Sequence, residues 1–75
     1  MENKKQIKLS AEDVKEFVTA AGQCDFDIDV FYNRMIIDAK SILGVLSLDL
    51  NRVLTVQYAG RNAQFENALQ KYCVA

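Results

Sequence analysis

From Asp25 to Val30 every second residue is an acid and its neighbours are large and apolar: Asp25-Phe26-Asp27-Ile28-Asp29-Val30. Only a backbone that sends successive side chains to opposite faces can sort such a segment, so it predicts a strand with Phe26, Ile28 and Val30 in the core and three carboxylates in water. A sheet built around it is covered on one side only.

The other elements follow from the same two periods. Ile7 and Leu9 alternate with Gln6 and Lys8, which predicts a short strand after a polar start. Ser10 ends it, and Ser10 with Asp13 three residues on is a helix-start signal. Val14, Phe17, Val18 and Ala21 then repeat at i, i+3, i+4 and i+7, an amphipathic helix that Gly22 is expected to stop. Tyr32-Asn33-Arg34 breaks the alternating run, and Asn33 is the residue best able to take the positive φ of a tight hairpin. On the return strand Met35, Ile37 and Ala39 should point inward.

Ser41 can cap a short helix carrying Ile42, Leu43, Val45 and Leu46. Gly44 inside it costs about 1 kcal/mol relative to alanine, so its presence points to close packing. Leu54, Val56 and Tyr58 alternate as a further strand, punctuated by Ala59-Gly60, and residues 62–72 close the chain as a helix with Phe65, Ala68, Leu69 and Tyr72 on one face.

Two strands joined by a tight turn are antiparallel, and the order strand, helix, strand, strand, short helix, strand, helix leaves the helices to one side. The expected fold is α+β: an open-faced two-layer sandwich, a four-stranded antiparallel sheet with three helices on one face. Phe26, Ile28, Val30, Leu54 and Val56 face Phe17, Val18, Phe65 and Leu69 across it. The 75 residues suffice for a single domain over 1–75.

Composition removes several function classes. A net charge of −1 provides no basic field for phosphate backbones, so nucleic acid is a poor partner. With no histidine, the usual general base and the commonest metal ligand are missing; Ser10, Ser41 and Ser47 have no histidine to activate them, and Lys40 beside Ser41 would need a depressed pKa. No enzyme activity and no cofactor are expected. Asp25, Asp27 and Asp29 imitate the opening of a calcium loop, but the positions that need glycine and glutamate hold Val30 and Ile36, so no metal site is expected. Cys24 and Cys73 lack ligand spacing and read as reduced, buried thiols. The charged start has no apolar run behind it, and the longest apolar runs fall short of a membrane span, so the expectation is a cytoplasmic protein with no membrane insertion.

The most specific stretch is Ala39-Lys40-Ser41-Ile42-Leu43-Gly44-Val45-Leu46-Ser47-Leu48. It resembles the second-helix motif K-S-I-[ML]-G-[VIL]-[ML]-S-L of the HPr phosphocarrier family, small proteins that relay phosphoryl groups in bacterial sugar uptake. The element order is also that family's, so the resemblance runs from about Gln6 to the C-terminus and implies the HPr-like sandwich. The family accepts its phosphoryl group on the histidine of G-[IL]-H-A-R-P-A at the start of the first helix. Alignment without gaps from the matched segment puts Ser10 at the histidine, keeps Ala11, and puts Glu12 at the arginine and Asp13 at the proline. A serine monoester is far less labile than a phosphohistidine, and a carboxylate beside it repels an incoming phosphoryl group.

The resemblance also implies that Ser41 matches a regulatory serine phosphorylated by an ATP-dependent kinase, with partner-docking residues at Ile42, Leu43 and Leu46. From the residues alone, Ser41 could as well be only a cap and the three apolar side chains core. The expectation is a regulatory or partner-binding protein without histidine phosphotransfer, with phosphotransferase-system components or a serine kinase as partners. The alternatives are a phosphocarrier with a non-histidine acceptor and a structural module of unknown ligand.

Overall fold

The computed structural model describes residues 2–74. The acid-and-apolar segment enters the sheet at Ile28 rather than at Asp25, because β2 spans Ile28–Tyr32. Phe26 does not pair; its ring instead lies stacked on Tyr58, with centroids 5.8 Å apart and planes at 21°. Around β2 the chain forms β1 (Asn3–Ile7), α1 (Val14–Gly22), β3 (Met35–Asp38), α2 (Ile42–Leu46), β4 (Leu54–Tyr58) and α3 (Ala63–Tyr72). A 3-10 turn, Ala11–Asp13, leads into α1.

The four strands form one antiparallel sheet in the order β1-β4-β2-β3, and the helices cover one of its faces. Val30 pairs with Val56 and Ile28 with Tyr58, so the central strands turn their apolar residues to the same side. That face meets Val14 and Phe17 of α1 and Phe65 and Leu69 of α3, all almost fully buried, while Val18 is only half-buried at the margin. The opposite face carries Asp29, Phe31, Thr55 and Gln57 and stays open to solvent.

Asn33 has φ 51°, the single positive φ among the described residues, and closes the two-residue turn between β2 and β3. Three further expectations are corrected. β1 begins at Asn3, within the polar start, because Lys4 and Lys5 pair with Gln57 and Val56 without an apolar side chain to signal it. α1 does end at Gly22, though without a positive φ there: the N–H groups of Gln23 and Cys24 donate to the carbonyls of Ala20 and Ala21. Met35 is 45% exposed and Ile37 half-buried, because β3 is an edge strand whose turn end lies beyond the helices; only Ala39 is fully buried. Cys24 is buried as expected, whereas Cys73 is exposed at the end of α3.

One polar contact clamps the two long helices. Glu16 of α1 accepts hydrogen bonds from the Tyr72 hydroxyl and, at 3.0 Å, from Lys71 Nζ of α3. These donors hold the Glu16 carboxyl below the usual glutamate range, the tyrosine contributing most. A depressed folded pKa contributes stability that is complete above the unfolded value and is lost as pH falls through the folded one. The melting temperature of Glu16→Gln should therefore fall less than that of the native chain between neutral pH and pH values below the ordinary carboxylate range, and thermal scans across that interval measure the difference.

Candidate functional site

Ser10 and Ser41 both stand at helix starts, and their backbones explain how each is used. Ser10 is extended at φ −88° and ψ 166°; its Oγ accepts from Asp13 N at 3.3 Å while Asp13 Oδ2 accepts from Ser10 N at 2.9 Å. This reciprocal box satisfies two N–H groups left over at the start of the helix. Glu12 is exposed in the same turn, so the negative charges there, Glu12 and Asp13, are of the sign that a helix start favours and an incoming phosphoryl group opposes.

Ser41 is also extended, at φ −100° and ψ 108°, and its exposed Oγ accepts from Gly44 N at 3.1 Å. Asp38 holds the approach: its carbonyl accepts from Ser41 N at 3.0 Å and its Oδ1 from Lys40 N at 2.9 Å. Gly44 has the packing reason its cost suggests. A Cβ there would lie 2.6 Å from Ile37 Cγ2 and 3.0 Å from Ser41 Oγ, so only glycine lets α2 seat on β3 while the serine keeps its cap.

Within α2 only Val45 is buried. Ile42 is 43%, Leu43 79% and Leu46 45% exposed, so none of the three is core. They form an apolar surface beside the Ser41 hydroxyl. The two helix starts remain separate in their bonding: among the described residues no hydrogen bond or ion pair joins the Ser10 turn to the Ser41 turn, although α1 and α2 pack against each other.

Three contacts that position α2 were not apparent from the sequence. Lys40 Nζ donates to the Cys24 carbonyl at 2.9 Å, tying the exit of α1 to the entry of α2. Burial pushes the Cys24 thiol above its ordinary pKa, an effect that Lys40 opposes. After α2, Asp49 N donates to the Tyr32 hydroxyl at 3.3 Å, and the Arg52 guanidinium lies 5.3 Å from the Tyr32 ring centroid. The only hint of the last pair was an aromatic residue at the end of an alternating strand. Asp25 and Asp27 precede β2 and Asp29 lies within it; among the described residues no three histidine, cysteine, aspartate or glutamate side chains converge as metal ligands.

The family model for the PTS HPr component phosphorylation site matches residues 2–73. The chain belongs to the HPr family. Its fold is similar to the crystal structure of a phosphocarrier protein HPr from Bacillus anthracis str. Ames, at 22% identity and a TM-score of 0.75, over 96% of this chain and 95% of that one. It is also similar to the crystal structure of HPr-C-His from Thermoanaerobacter tengcongensis, at 27% identity and a TM-score of 0.68, over 95% of this chain and 88% of that one. No curated protein matches the sequence. HPr proteins are phosphocarriers of the phosphotransferase system and interact with its proteins. This HPr-family sequence contains no histidine, and no helix among its described residues is long and apolar enough to cross a membrane.

Proposed function

We propose that this HPr-family chain is a cytoplasmic regulatory or partner-binding protein that does not relay phosphoryl groups through histidine. It docks through Ile42, Leu43 and Leu46 and is controlled by phosphorylation at Ser41. The observation that carries this reading is the exposure of those three side chains, up to 79% at Leu43, on a helix that buries Val45 and is glycine-seated on β3. Exposed apolar groups cost a free chain solubility, and a contiguous group of them beside a modifiable hydroxyl is what a switchable docking surface needs.

Ser41 caps α2 with a hydroxyl that accepts from Gly44 N. A phosphoryl group there would be favoured by the helix start and opposed by the nearby Asp38, so stability should change little. The main effect would be at the patch, where about two added negative charges at its rim change which partner surface can be desolvated against it.

Mass spectrometry tests the reading directly. Incubation with phosphoenolpyruvate and the upstream phosphotransferase should add no phosphate, whereas an HPr-type serine kinase with ATP should add one that Ser41→Ala abolishes. Binding of the unmodified chain to that kinase should weaken by about tenfold or more in Leu43→Asp, the loss expected when an apolar anchor is replaced by a charge. Stoichiometric phosphate from phosphoenolpyruvate would instead favour a carrier with a non-histidine acceptor such as Ser10. Kinase binding indifferent to Leu43→Asp would remove the docking surface.

A further inference from the structure

The two edges of the sheet differ. β1 presents Lys4 and Lys5, and the chain after α3 partly covers it: Val74 N donates to the Gln6 carbonyl at 2.9 Å and Cys73 bridges to Ile7. Lysines and a covering segment are usual protections against edge-to-edge pairing. β3 has neither. It reads Met35-Ile36-Ile37-Asp38, pairs among the described residues only with β2, and exposes Met35 by 45% and Ile36 by 64%.

The phase of its backbone is fixed. Ala39 N donates to the Ile28 carbonyl at 2.9 Å, and Ile28 and Ala39 continue the register that pairs Val30 with Ile37 and Tyr32 with Met35. Hydrogen-bonded pairs alternate along an antiparallel ladder, so the odd-numbered residues of β3 bond inward to β2. Ile36 and Asp38 therefore turn their backbone groups outward, and their side chains lie on the open face with their partners Phe31 and Asp29.

We propose that β3 pairs antiparallel with β3 of a second copy of this chain, joining two sheets across a two-fold axis at Ile36. Two-fold symmetry requires paired residues to share a face, which leaves few registers. Centred on Ile36, the pairing sets Arg34 opposite Asp38 of the other copy, twice. Centred on Ile37, it sets Arg34 opposite Lys40, and centred on Asp38 it sets two aspartates face to face. Charge selects the first. Arg34 is exposed and has no ion-pair partner among the described residues, while Asp38 faces the like charge of Asp29 within its own hairpin.

In that register the two Ile36 residues exchange two backbone hydrogen bonds, and each Asp38 N–H reaches the carbonyl of the opposing Arg34. The Asp38 carbonyl is already taken by Ser41 N, so four bonds form in all. On the open face Phe31 and Ile36 of each copy make a continuous apolar strip across the joint; on the other face Met35 meets the half-buried Ile37 of the second copy. A joint of four-residue strands is small beside a standard interface of about 1,600 Å², so association is weak and appears only at high concentration.

Sedimentation velocity on the full chain over a hundredfold range of concentration is expected to show the weight-average mass rising from monomer toward dimer. Ile36→Lys, a change at an exposed site, should keep it monomeric. Arg34→Asp and Asp38→Arg should each weaken association, and the two together should restore it, with far-UV circular dichroism confirming that each variant is folded. Leu43→Asp should leave association unchanged, which separates this joint from the docking surface on α2. A monomer throughout, an association that survives Ile36→Lys, one lost in Leu43→Asp, or a charge-swapped pair that fails to recover would each overturn the proposal.

Discussion

Phe65→Ala is expected to lower the unfolding free energy by about 3–5 kcal/mol. Phe65 has no exposed surface and stands where three elements meet: its ring is 6.3 Å from Phe17 of α1 and makes an edge contact, at 5.3 Å and 81°, with Tyr58 of β4. Truncation empties the middle of that cluster, and the loss combines transfer of the ring to water with a cavity that helices held by neighbouring contacts cannot fully close. A chain of this length has about 4–11 kcal/mol in total, so the loss takes a quarter of its stability or more and should move the urea midpoint far down. Urea denaturation at 25 °C measures it, and a loss under about 1 kcal/mol would show that the core is not organised around this ring.

Gly60→Ala should cost about 1–3 kcal/mol although its backbone needs no glycine. No glycine among the described residues has positive φ, so the effect is purely one of contact. A Cβ at Gly60 would lie 2.1 Å from Phe26 Cδ2 and 2.5 Å from its Cγ and Cε2, driving the ring off the loop and off its stack on Tyr58. A double-mutant cycle isolates the cause: adding Gly60→Ala to Phe26→Ala should cost almost nothing further. Equal costs in both backgrounds would place the strain elsewhere.

That contact also shows where sequence reasoning ran out. Ala59-Gly60 reads as punctuation and Phe26 as a strand residue, because periodicity reports which side a residue takes along its own segment and nothing about a loop that returns from thirty-odd positions away. Ile28, Val30, Leu54, Val56 and Tyr58 were legible because alternation on a half-buried sheet is a local consequence of the pleat. Asn33 and Ser10 were legible because a positive φ and an orphan N–H each select few side chains. The edges were not: Lys4 and Lys5 lie in β1 by virtue of β4, and Met35 has an inward phase with nothing above it.

At the candidate site the cap and the tight glycine could be read, since Ser41 and Gly44 are each chosen by local geometry. The surroundings of Ile42, Leu43 and Leu46 could not. In a five-residue helix most positions are apolar, so no face is distinguished, and only the placement of Val45 against the sheet shows that the other three stay in water.

The strand order has a kinetic consequence. Among the described residues β1 has no strand partner but β4: Asn3 meets Tyr58 and Ile7 meets Leu54, so the first strand in the chain is bonded only when the fourth arrives. The β2–β3 hairpin can close locally within microseconds, whereas inserting β4 between β1 and β2 requires closure of a long loop before any pairing offsets its entropy. On the ribosome the chain has half a sheet until the residues of β4 emerge, and its folding nucleus is expected to contain β4 with whichever neighbour it captures first.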